Sequence, residues 1–203
     1  MINIREQKNA LRARCKKQRE SCPPKIRQEL DKKLSENFLS LPEYKACETL
    51  FTFVSGPIEC DTRAIIEQAF RDRKRVAVPK CINRSGDMEF FYIRSFDDTA
   101  AGAFGITEPV EERCERVTEY SKALCIVPGL CFDLQHYRVG FGKGYYDRFL
   151  QDFQGLSVGI CYSKYTLSKV PHGAFDRRTD ILVTEKFIDR DAIRNGDYEK
   201  RNQ

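Results

Sequence analysis

The sequence predicts an α/β protein built on a largely parallel sheet, and three observations carry that expectation. From residue 49 onward, short apolar runs alternate with helix-like stretches, the pattern of strand and crossover helix. The runs are apolar at successive positions, as in 123–127, so they belong to strands covered on both faces. The length of 203 residues, with 41% hydrophobic and 32% charged residues, suits one domain with a sizeable core. Domains run to about 100–200 residues, and one of this size hides roughly 70% of its unfolded surface.

Two helices occupy residues 1–41. The first, over 3–20, is basic: Arg5, Lys8, Arg12, Arg14, Lys16, Lys17 and Arg19 face only Glu6 and Glu20, and its apolar stripe is thin. Ser21-Cys22-Pro23-Pro24 breaks it, and proline is tolerated in a helix's first turn because its missing N–H has no intrahelical partner there. The second helix places Ile26, Leu30, Leu34 and Phe38 on one face and stops before Pro42. Strands follow at 49–54, 76–79, 89–93, 123–127, 156–161 and 180–184, with a helix at 62–73. Residues 189–203 are polar and read as a frayed tail without a role.

Composition excludes several classes. No window approaches the roughly 18 apolar residues that span a membrane, and the first twenty residues lack the apolar core of a secretory signal. The expectation is a soluble cytoplasmic protein with no membrane partner. Nine cysteines at 15, 22, 47, 60, 81, 114, 125, 131 and 161 are scattered singly with no CxxC pair, so they read as reduced thiols. Cys125 and Cys161 lie in strand-like runs and read as small core residues. The only histidines are His136 and His172, and their pairing with a cysteine is not visible from sequence.

In an open α/β sheet, ligands bind outside the carboxyl ends of the strands, so loops 55–62, 102–109, 128–147 and 163–180 are where function belongs. The densest is Arg138-Val139-Gly140-Phe141-Gly142-Lys143-Gly144-Tyr145-Tyr146-Asp147, which runs into a helix. Glycines at alternate positions let backbone N–H groups approach an anion, and a helix starting near Gly144 aims its positive end there. Arg138 and Lys143 add two charges, a composition suited to a polyphosphate. The spacing fits neither GxxxxGK followed by Ser or Thr, nor GxGxxG. Asp147 beside a triphosphate would be repelled unless a magnesium ion, which takes carboxylate and phosphate oxygens, lay between them. Pro171 to Asp180 supplies further carboxylates in Asp176 and Asp180, which are equally at home as turn and cap residues.

The run VPGLCFD…RVGFGKGYYDRFL is similar to the signature of 5-formyltetrahydrofolate cyclo-ligases, also called methenyltetrahydrofolate synthetases. The resemblance extends through Lys8-x-x-Leu11-Arg12, Glu59-x-x-Thr62, Phe104-Gly105-Ile106-x-Glu108-Pro109, and Pro171…Asp176…Asp180…Thr184-Glu185. It implies a single-domain, three-layer α/β sandwich resembling the NagB/RpiA/CoA-transferase-like fold. It also implies conversion of 5-formyltetrahydrofolate to 5,10-methenyltetrahydrofolate with ATP and Mg²⁺, giving ADP and phosphate, by a monomer that uses no nucleic acid. Phosphorylating the formyl oxygen turns it into a leaving group when N10 attacks the formyl carbon.

Carried over residue by residue, the resemblance assigns Lys8, Arg12, Arg138, Gly140, Gly142, Lys143, Gly144, Tyr145 and Tyr146 to ATP, with Arg138 and Lys143 catalytic. Val54, Glu59, Phe141, Gly142, Lys143, Gly144 and Tyr145 would border the folate, and Asp147 and Asp176 would hold the metal. Two positions depart from the family pattern: Tyr165, where Gln is common, and Phe175, where His or Asn is common.

Two rival readings remain at this point. One is a nucleic-acid-binding module that uses the cations of residues 5–19, against which stands a net charge of only +5. The other is a same-fold relative that binds a small anion without folate turnover.

Overall fold

The computed structural model describes residues 3–83, 86–102 and 105–190. Helices α1 (Ile4–Glu20), α2 (Pro24–Ser40) and the short α3 (Pro42–Ala46) come first. Asn3 caps α1 by accepting the Arg5 N–H, and Pro24 and Pro42 each open a helix. Of the expected apolar stripe of α2, Leu34 and Phe38 are buried and Leu30 is half-buried, while Ile26 is exposed. The stripe fades towards the helix start because only its later turns lie on the sheet.

The strands follow: β1 (Thr49–Phe51), β2 (Arg75–Cys81), β3 (Met88–Ile93), β4 (Thr99–Ala101), β5 (Thr107–Pro109), β6 (Glu115–Arg116) and β7 (Ala123–Val127). After these come β8 (Cys131–Asp133), β9 (Arg138–Val139), β10 (Leu156–Ile160), β11 (Thr166–Leu167), β12 (Ile181–Val183) and β13 (Ile188–Asp189). Helix α4 (Arg63–Arg71) crosses from β1 to β2, and α5 (Tyr145–Asp152) leads into β10. The main sheet has the order β13-β12-β10-β7-β1-β2-β3-β6. Strands β12, β10, β7, β1 and β2 are mutually parallel, while β13, β3 and β6 add antiparallel edges. A small sheet β11-β8-β9 and a ribbon β4-β5 lie apart, and Val54 forms a lone bridge to Thr107.

Register explains the three layers. Val76, Leu50, Leu124 and Leu156 line up across four strands, and Ala77, Phe51, Cys125 and Ser157 form the next row. Successive side chains point to opposite faces, so the rows feed two separate cores. Leu50, Val76 and Leu124 pack with Leu34 and Phe38 of α2 and Ile65 and Ile66 of α4. Phe51, Ala77 and Cys125 pack with Leu150 of α5 and with Phe153 just beyond it. A one-residue slip would exchange the rows and bring Phe51, whose burial is worth about 1.5–3 kcal/mol, against the wrong helices.

The expected mostly parallel α/β sheet is therefore present, with helices on both faces. The expected strand 49–54 is shorter, because the chain leaves the sheet after Phe51 to reach Val54 and its bridge. The expected tail is corrected at its start: Asp189 pairs with Leu182, and Arg190 bonds the carboxylate of Glu43. The remainder of the tail lies outside the described residues, as does Phe104. No helix among the described residues is long and apolar enough to cross a membrane.

Candidate active site

Between β1 and β7 the chain order reverses, so the loops leaving their carboxyl ends diverge and open a crevice, the usual ligand position of such sheets. Loop 55–62 forms one wall. Thr62, fully buried, donates from its hydroxyl to the carbonyl of Phe53 at 2.6 Å and accepts from the Ser55 N–H at 3.2 Å. This fixes the turn that presents Glu59 and gives the Glu59-x-x-Thr62 spacing its physical reason. The Glu59 carboxylate accepts the Gly56 N–H at 2.8 Å, and burial pushes its pKa up, opposed by that bond, Arg19 and Arg27.

The opposite wall is the glycine loop, held by α1. Arg12 donates through Nε to the Gly140 carbonyl at 2.9 Å. Gly142 has φ of 102° and Gly144 φ of 76°, the left-handed region that favours glycine. A Cβ on Gly142 would stand 3.2 Å from the Arg12 guanidinium, so the arginine lies across a backbone with no side chain in its way. A cavity of about 490 Å³ opens between the first turns of α1 and Phe141–Gly142, lined by Arg5, Lys8, Asn9 and Arg12. Lys8 and Arg12, four residues apart, share the helix face that looks into it.

Two carboxylates are tied to loop 171–180. Asp147, in the first turn of α5, accepts from Arg138 at 2.8 Å and from the Arg177 N–H at 3.1 Å through one oxygen, Oδ1. Asp176, the residue before Arg177, pairs with Lys8 at 2.5 Å and accepts the Gly173 N–H at 2.6 Å. The donor set fits a magnesium ion, which needs one or two carboxylates and completes its shell with phosphate and water oxygens. Arg138 is almost fully buried and spends its terminal nitrogens on Asp147 and the Arg177 carbonyl. Its position is that of a brace between α5 and loop 171–180. Lys143 is exposed, and its carbonyl accepts from Arg148.

Val54 is buried and bridges to Thr107. Tyr145 donates to the Asn83 carbonyl, just past the end of β2, at 2.8 Å. Tyr146 turns inward. Burial pushes its phenol well above its ordinary pKa, Glu59 adds to the shift and Arg138 opposes it. Phe141 lines the cavity beside α1, with the Lys16 ammonium 5.4 Å from its ring centroid.

Arg19 has a role that its place in a basic helix did not disclose. It is 4% exposed and donates to the carbonyls of Ile58, Gly129 and Leu130 at 3.0, 2.8 and 2.9 Å, tying α1 to both walls of the crevice. Tyr165, one of the two departures, is buried with its ring 4.9 Å from the Arg19 guanidinium carbon, so it is a packing partner of that arginine. Phe175, the other, is 82% exposed. Asp180 accepts from the backbone and hydroxyl of Ser157 and joins the start of β12 to β10. Cys125 and Cys161 are buried, as expected. His136 bonds the Thr179 carbonyl and His172 stacks on Tyr137 at 3.8 Å, so each imidazole has a partner other than a thiol.

A crevice at the switch point of a parallel sheet, with lysine, arginine and glycine backbone on one wall and a half-buried carboxylate on the other, marks the chain as an α/β enzyme. The chain belongs to the 5-formyltetrahydrofolate cyclo-ligase family, whose model matches residues 4–185. A probable 5-formyltetrahydrofolate cyclo-ligase of Schizosaccharomyces pombe is 34% identical over 172 residues, covering 76% of this chain and 84% of that protein. The structure of Aquifex aeolicus 5,10-methenyltetrahydrofolate synthetase, determined by NMR, matches with a TM-score of 0.79 at 35% identity, over 90% of this chain and 92% of that one. A synthetase from Mycoplasma pneumoniae shares the fold at a TM-score of 0.70 and 22% identity, covering 88% and 98%. These likenesses favour the enzyme over a nucleic-acid module, as does the inward aim of Lys8, Arg12 and Arg19.

Proposed function

We propose that this chain uses ATP and Mg²⁺ to convert 5-formyltetrahydrofolate into 5,10-methenyltetrahydrofolate, releasing ADP and phosphate. The observation that carries the reading is the opposition of two unlike walls across one crevice. Lys8, Arg12 and the glycine loop offer positive charge and backbone N–H groups to a triphosphate. Val54 and Glu59 offer an apolar edge and a carboxylate, which accepts hydrogen bonds from the N–H groups of a pterin.

In the reaction the formyl oxygen attacks the γ-phosphorus and the bond to ADP breaks. N10 then attacks the formyl carbon, its proton is lost, and the C–O bond breaks to release phosphate. The protein's task is alignment and charge compensation, because no covalent intermediate with a side chain is needed. Lys143 and Lys8 face the charge of the moving phosphoryl group, and Arg138 acts on it through Asp147 and the loop it braces. Bound Mg²⁺ would neutralise phosphate charge. Asp147 and Asp176 would hold it, and Lys8, now paired with Asp176, is then free to turn to phosphate oxygen.

All these groups come from one chain, which fits a monomer, and nine free thiols suit the reducing cytoplasm. The test is the near-ultraviolet absorbance of the methenyl product, expected only when 5-formyltetrahydrofolate, ATP and Mg²⁺ are present together. Turnover without ATP sinks the proposal.

A further inference from the structure

Three consecutive residues at the start of α5 point to different partners. Tyr145 donates to the Asn83 carbonyl and Asp147 accepts from Arg138. Between them, the Tyr146 hydroxyl is buried and has no hydrogen-bond partner among the described residues. A buried polar group left unpaired costs about 1–3 kcal/mol, and phenylalanine would fill the same space without that cost. A hydroxyl kept at that cost suits an acceptor that a ligand supplies.

The position of the ring says which. Tyr146 packs against the core cluster that includes Phe51 and Val127, the last residues of β1 and β7, and it stands in the first turn of α5, which starts at the carboxyl ends of the parallel strands and returns to β10. Its next residue, Asp147, is the partner of Arg138, so the ring stands beside the basic side of the site. The nucleotide cavity is lined by α1 and Phe141–Gly142, without Tyr146. Anionic oxygens have Lys8 and Arg12 to meet them, whereas a neutral hydroxyl suits a neutral carbonyl. The group that lies between a pterin and a transferring phosphoryl group is the formyl group.

We propose that the Tyr146 hydroxyl donates a hydrogen bond to the formyl oxygen of the substrate, making it a catalytic contact of the folate and the residue that tells a 5-formyl from a 5-alkyl group. The inference rests on the function proposed above. A carbonyl oxygen has two lone pairs, so one accepts from Tyr146 while the other attacks phosphorus. The hydroxyl orients the oxygen and transfers no proton.

The experiment is Tyr146→Phe in the full chain, with dissociation constants for 5-formyltetrahydrofolate and 5-methyltetrahydrofolate measured without nucleotide, and KM for ATP measured in turnover. We expect binding of the formyl compound to weaken about tenfold, the size of one net hydrogen bond, with the methyl compound and the KM for ATP unchanged. Equal weakening of both folates overturns it, as does a rise in the KM for ATP alone. So does unchanged binding accompanied by a shifted unfolding midpoint, the mark of an internal water partner. A wild-type chain that does not form the methenyl product refutes the underlying function instead, so the two failures are distinct.

Discussion

The ammonium of Lys8 and the carboxylate of Asp176, 168 positions apart in the chain, stand 2.5 Å from one another, with Lys8 also lining the cavity beside α1. Arg138 and Asp147 form a second such pair at 2.8 Å. Asp176→Asn is expected to raise the Mg²⁺ concentration for half-maximal rate several-fold while leaving the KM for folate unchanged. Titration of activity with Mg²⁺ at saturating ATP checks it, and an unchanged midpoint removes Asp176 from the metal site.

Gly142→Ala forces a residue with a Cβ into φ of 102° and brings that Cβ to 3.2 Å from Arg12. Strain of this kind costs about 1–3 kcal/mol. The expected result is a lower unfolding midpoint and a raised KM for ATP, with folate binding in the absence of nucleotide unchanged. Differential scanning calorimetry and steady-state kinetics read the two effects separately.

Glu59 gives a pH dependence with a definite sign. Burial raises its pKa above the ordinary 4.5, so it holds its proton more tightly in the folded chain than in the unfolded one. Its contribution to stability is complete below 4.5 and is lost as pH rises through the raised value. Folate binding has the opposite trend, because the ionised form accepts from the pterin: kcat/KM for folate should fall as pH drops through the same window. Glu59→Gln should remove that inflection and raise the KM for folate by about 10- to 100-fold, since hydrogen bonds to charged groups are worth about 1.5–3 kcal/mol. Its unfolding midpoint at neutral pH should not fall. A pH profile that keeps its acidic inflection in the variant counts against Glu59.

Arg19→Met leaves the carbonyls of Ile58, Gly129 and Leu130 without their donor. We expect a loss of about 3 kcal/mol or more, read by urea denaturation, and weaker binding of both substrates because both walls lose the same tie. Arg19→Lys should rescue little, since one ammonium cannot reproduce the planar fork.

The sheet and its covering helices were legible because burial on both faces writes itself into runs such as Ala123–Val127. The glycine loop was legible because a backbone at positive φ admits few residues, as at Gly142 and Gly144. Arg19 was not. Its neighbours in sequence are cations that face solvent, and only the fold brings three distant carbonyls to its guanidinium. The short strands β8, β9 and β11 and the bridge at Val54 escaped for a similar reason, being two or three residues long and defined by their partners. The turn of the Phe141 ring towards α1 was not legible either, because loop spacing fixes order along the chain but not the side to which a ring turns.

Helix α1 buries only Cys15 and Arg19. Little oil holds it down; its grip is largely ionic and carbonyl-directed, through Lys8, Arg12 and Arg19. Such an element opens at lower free energy than the sheet beneath it, and its amides should exchange with deuterium sooner. Ligand arrival and the closing of this strap then draw on one free energy, so whatever tightens the triphosphate also slows that exchange.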